Sequence, residues 1–174
     1  MSEKRLSPEA LEGSEIHTDE NKEFTFLCVV DDTEELSQAL RFSCARAKRV
    51  GGRVSLLYVV EPAEFHHWVA VGDLMREERL EEAEEMLNVV SNVVFKRTGK
   101  KPTNYIREGN LLEQLIELIE EEKSISLLVL GAATGAEGPG PLVSTLIEKM
   151  AGQLRVPITI VPGSLTDEEI DQIT

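Results

Sequence analysis

Thiol chemistry is nearly absent from this chain: Cys28 and Cys44 are the only cysteines, each set in an apolar segment. They lack the close spacing of a zinc knuckle or a redox Cys-x-x-Cys pair, so both read as core thiols. Positive charge is also scarce. Eighteen Lys and Arg stand against 32 Asp and Glu, for a formal charge of -14, and no basic stripe interrupts the acidity. A nucleic-acid partner is therefore not expected. No apolar run approaches the roughly 18 residues of a membrane span, and the polar residues 1–8 lead into no apolar signal core. The reading is a cytoplasmic protein without a membrane partner.

What is present is an alternation. At 174 residues the chain is one ordinary domain plus short tails. Residues 1–23 are polar, carry Pro8 and Gly13, and show no sustained periodicity, so they read as a flexible extension. From Phe24 onward, short apolar runs alternate with longer helical patterns, as expected of successive β-α-β units over a parallel sheet. The expected strands are 24–30, 54–60, 103–107, 124–130 and 156–161, which makes an ordered domain over 24–163. The first ends at Asp31-Asp32, where Asp32 with Glu35 has the spacing of a capping box. Leu36, Ala39, Leu40, Ser43, Cys44 and Ala47 then recur at helical spacing until Gly51-Gly52. A long glutamate-rich helix is expected from Gly72-Asp73 to about Arg97, with Leu74, Leu80, Ala83, Leu87, Val90 and Val94 as its apolar positions. Asn110 with Glu113 is a second capping pattern, ahead of a helix over 111–122. The acidic tail 164–174 suggests one turn, capped by Thr166 with Glu169 three residues on.

In an open parallel sheet, ligands sit at the carboxyl ends of strands where the winding reverses, because the loops diverge there and helix N-termini face the gap. Two strand ends stand out. One carries Asp31 and Asp32. The other opens into a loop with Gly131, Gly135, Gly138 and Gly140, delivering the chain to a helix expected to begin near Ser144-Thr145. Glycines let backbone N–H groups approach a phosphate. His66-His67 beside Trp68 form the only other concentration of chemistry, and with no nearby Cys they read as packing, Trp68 as a lid. No metal site is expected.

The segment from Gly131 to Thr134, with Ser144-Thr145 and the run through Pro157 to Pro162, resembles the C-terminal signature of the universal stress protein family. Val29-Val30-Asp31 with Thr33 and Ser37, the strand end at Tyr58 to Glu61, and Glu108-Gly109 resemble its N-terminal half. The resemblance implies an α/β fold: an open five-stranded parallel sheet, order 3-2-1-4-5, with helices on both faces, Rossmann-like and similar to the adenine nucleotide alpha hydrolases. It further implies that Asp31 contacts adenine or ribose, that Val59 presents its backbone to the base, and that Gly131, Thr134, Ser144 and Thr145 surround the phosphates of ATP, with Mg as an accompanying ion. Members that bind ATP carry G-x2-G-x9-G-[ST]. Here Gly131 and Thr145 match, whereas Thr134 and Ser144 replace the second and third glycines, and no Lys or Arg occurs from Gly131 to Glu148.

Three functions follow. The first is a dimeric stress-response interaction module, without strong ATP binding, whose homodimer forms through strand 156–161 by way of Ile158, Ile160 and Val161. The second is an ATP-binding stress sensor whose cleft occupancy switches loop 131–141. The third, a nucleotide hydrolase, lacks any nucleophile-base pair or positioned Lys, so no catalytic residue is assigned.

Overall fold

The computed structural model describes residues 13, 19, 21–62 and 69–174, without the side chains of 69–71. His17, His66, His67 and Trp68 lie outside that set. Five strands, β1 (Thr25–Val29), β2 (Arg53–Val60), β3 (Thr103–Glu108), β4 (Ile125–Ala132) and β5 (Ile158–Pro162), form one sheet in the order β3-β2-β1-β4-β5. Every neighbouring pair is parallel, as expected. The helices are α1 (Leu36–Val50), α2 (Val69–Thr98), α3 (Leu111–Glu121), α4 (Pro141–Thr145), which passes directly into a π-turn over Leu146–Met150, and α5 (Asp167–Ile173).

Both faces of the sheet are covered, because successive strand side chains point to opposite sides. Phe26, Cys28 and Val30 pack with Val54, Leu56 and Val129 beneath residues of α1 and α2, while Leu27 and Val29 pack with Leu57, Leu128 and Leu130 against α3 and the α4 region. A central strand buried on both faces must be apolar throughout, which is why 24–30 reads as a near-continuous hydrophobic run. Cys28 and Cys44 are both core thiols, and burial pushes them up to about 12 and about 11. The Cys28 sulfur lies 2.9 Å from the Ser43 hydroxyl, which in turn donates to the Ala39 carbonyl.

Local geometry departs from the sequence reading at several places. The long helix α2 opens at Val69, ahead of the expected Gly72, and Leu74, expected among its apolar positions, is exposed because no described residue covers that turn. Asp32 does not cap α1: the helix starts after Glu35 with no side-chain cap, because Asp31 takes over the turn by accepting from the Thr33 N–H and hydroxyl. The fourth helical element begins at Pro141, three residues before Ser144; proline is preorganised for the first helical position, where its missing N–H costs nothing. Val156 lies before β5 and is buried, with the strand proper opening at Ile158. The turn expected in the tail extends to all of α5, with the Thr166–Glu169 capping box complete.

That last helix is tied down. Ile170 is fully buried against the core, and Arg41 of α1 reaches across to Asp167 and Asp171. Arg46 donates to the Thr174 carbonyl further along the same helix, so α5 runs alongside α1 in the same direction. Arg41 beside Asp171 holds that carboxyl below the usual aspartate range.

Candidate functional site

The sheet reverses direction between β1 and β4, its two central strands, and the carboxyl ends of both open on one side. A cavity of about 690 Å³ lies there, walled by Val29 and Asp31 after β1, Glu35 and Leu36 at the start of α1, and the loop from Gly131 to Ser144. A second cavity, about 720 Å³, continues from Asp31 past Asp32, Tyr58, Val59 and Glu61 to Glu82 and Met86 of α2. Asp31, Val29 and Leu111 line both, which makes them one crevice with two lobes. The aspartate pair and the glycine loop therefore converge.

Of the six residues assigned by resemblance, Asp31, Gly131 and Ser144 line the first lobe, and Val59 lines the second with Asp31. Thr134 is exposed and Thr145 half-buried, and neither belongs to either lining. The reason for Thr145 is the early start of α4, which carries it into the helix body. The same start engages Ser144, whose N–H donates to the Gly140 carbonyl at 3.0 Å.

Gly131 is required, but for packing. A Cβ there would fall against the Glu35 carbonyl and 2.6 Å from the Glu35 Cβ, while one at Gly163 would lie 2.9 Å from the Glu35 Cγ. The stem of Glu35 is thus wedged over the ends of β4 and β5, and only glycine leaves it room. The loop that follows folds on itself: the Ala133 N–H donates to the Pro139 carbonyl and the Gly138 N–H to the Gly135 carbonyl. Pro139 and Pro141 bring no N–H at all. Within the loop the N–H groups of Ala133, Gly138 and Ser144 are thus already engaged.

The charge of the crevice is one-sided. Asp31, Glu35 and Glu137 line the first lobe with no Lys or Arg among its residues. The second lobe has Asp31, Asp32, Glu61, Glu82 and Glu85 against Arg79, whose guanidinium is already engaged with the Glu61 carbonyl at 2.6 Å. A unit negative charge about 8 Å from one carboxylate is disfavoured by roughly 0.5 kcal/mol in a water-like medium and about 2 kcal/mol at an effective dielectric near 20. Among the described residues no cluster of three His, Cys, Asp or Glu is arranged to hold a metal ion that would offset this. Glu61, which sequence reasoning left without a role, accepts from the Leu111 N–H at the start of α3. Its place at a strand end facing a helix N-terminus was the available signal.

These features define a doubly wound α/β protein with an open crevice at its switch point. The chain belongs to the universal stress protein family, whose family model matches residues 24–162. None of the curated proteins compared matches the sequence. Among solved structures, the universal stress protein UspA from Lactobacillus plantarum is similar over 80% of this chain and 98% of its own, at 16% identity and a TM-score of 0.68. A universal stress protein family member from Burkholderia pseudomallei covers 79% of this chain and 95% of its own, at 19% identity and 0.61. The universal stress protein from Archaeoglobus fulgidus in complex with dAMP covers 80% and 98%, at 17% identity and 0.57. Identities this low show a shared fold. No helix among the described residues is long and apolar enough to cross a membrane.

Proposed function

We propose that this universal stress protein is a cytoplasmic, dimeric interaction module that does not bind ATP strongly and is not an enzyme. The observation that carries the reading is the first lobe, lined by three carboxylates and no cation, at the place where phosphates would have to sit. Gly131 supports it, because its missing side chain is taken up by Glu35 and offers no extra room to a ligand. The dimer is assigned to β5, an edge strand with only β4 as neighbour. Ile160 is 36% exposed and Ile158 half-buried at that edge. Val161, expected to join the contact, is buried in this chain's own core and drops out.

Titration calorimetry of the full chain with Mg-ATP tests the first part. The expected result is no binding that responds to Asp31→Ala; micromolar binding lost in Asp31→Ala overturns it. That outcome would favour the second reading, a nucleotide-responsive sensor, which draws support from the convergence of Asp31, Val59, Gly131 and Ser144 and from the dAMP complex of the Archaeoglobus fulgidus relative. Size exclusion with light scattering tests the dimer, with Ile160→Asp expected to give monomer. A wild-type monomer at micromolar concentration would remove it.

A further inference from the structure

At the opposite end of α1 the charge is reversed. A cavity of about 460 Å³ lies where the last turns of α1, α2 and α5 come together, and its lining includes Arg41, Cys44, Lys48, Arg49, Arg97 and Asp171. Four cations face Asp171, and Arg41 among them is also held by Asp167, in a chain whose formal charge is -14. Helix ends explain most of this accumulation. A helix C-terminus carries roughly half a negative charge, so three of them offset about one and a half of the two charges left over. Lys48 and Arg49, exposed and outside any ion pair among the described residues, keep the rim positive.

Arg97 supplies an independent observation. Its Nη1 is buried and finds no hydrogen-bond partner among the described residues. The neighbouring Cys44 thiol is a weak acceptor for this guanidinium, which leaves the nitrogen able to donate to a ligand or to water. Cys44 beside it brings no charge, since burial holds the thiol protonated, pushed up to about 11 despite the neighbouring guanidinium. Arg41 is already taken by Asp167 and Asp171. Lys48 and Arg49 are exposed and make no ion pair among the described residues.

We propose that this cavity binds the phosphate group of a small anionic metabolite, with Arg97 as the buried donor and Lys48 and Arg49 closing over it from α1. A guanidinium fork matches phosphate oxygens, and lysine adds an unstructured positive charge at the rim. The volume admits more than one phosphate. The site is separate from the crevice and independent of what that crevice binds.

The test is titration calorimetry of the full chain with inorganic pyrophosphate, and in parallel with inorganic phosphate, at low and moderate salt. Saturable binding that weakens with salt is expected. Arg97→Gln should weaken it by about tenfold, the size of one lost charge-assisted hydrogen bond. Because Arg97 is partly buried, the exposed pair Lys48→Ala with Arg49→Ala serves as a second variant; it should weaken binding severalfold and flatten the salt dependence. Asp31→Ala in the crevice should change nothing. A preference for pyrophosphate would identify a diphosphate ligand and equal affinities a single phosphate, and both uphold the site. Absence of binding to either probe, indifference to the Lys48/Arg49 pair, or loss in Asp31→Ala would overturn it.

Discussion

Helix α1 touches a cavity at each end, and the two differ in sign. Glu35, just before its first turn, lines a crevice that Asp31 and Glu137 make acidic; its last turn contributes Lys48 and Arg49 to a cavity that Arg97 makes basic. In a parallel α/β layer the backbone would do the reverse, because helix N-termini gather at the carboxyl ends of the strands and helix C-termini at the other end. Side chains have therefore put carboxylates at the end where the fold offers helix N-termini and cations at the end where it offers helix C-termini. The lesson is that an α/β architecture places a crevice, while local charge decides what can enter it.

The contrast can be broken from either end, and the largest effect is expected at the basic one. Ile170→Ala removes the fully buried anchor of α5 and should cost about 2–5 kcal/mol in chemical denaturation. A smaller loss would mean that α5 is not part of the cooperative unit and that the basic cavity lacks a fixed wall. At the acidic end, Gly131→Ala forces a Cβ into the Glu35 backbone and should cost about 1–3 kcal/mol by the same measurement. A neutral outcome would show that Glu35 can leave its wedge and that the crevice is roomier than described.

Thr166→Ala should cost about 1 kcal/mol through loss of the capping box. Amide hydrogen exchange confined to α5 is the readout. The smallest effect sharpens the pairing of α5 with α1. Asp171 has its carboxyl lowered by Arg41, so the folded state binds this proton less readily than the unfolded one. The stabilisation is fully present above the ordinary aspartate range and is lost as pH falls through the lowered value. Exchange protection at Ile170 should hold from neutral pH down through the ordinary carboxylate range and decline only as the pH falls below it; protection unchanged there would remove the ion pair as a tether.

The elements that could be read from the chain are those whose signal is local. The apolar run ending at Val30 and that ending at Leu130 are each buried on both faces, so their period and length sufficed. The Thr166–Glu169 box was legible because both partners lie within one turn. Asp32 failed as a cap for a reason equally local but degenerate: Asp31 offers the same carboxylate one residue earlier and takes Thr33 instead. Pro141 was a start signal for α4 that the Ser-Thr pair obscured, and the three-residue difference moves Thr145 out of the crevice wall.

Sequence alone determined the succession of strands and helices along the chain and the fact that a loop at Gly131 follows a buried strand, because periodicity and turn chemistry act over a few residues; the family was legible only through the resemblance of its motifs. Tertiary structure decided that Glu35 fills the space beside Gly131, that Val161 turns inward, and that Arg97 meets Lys48 and Arg49. Those depend on which side chains the sheet brings together from distant positions, and no local preference encodes a meeting of that kind.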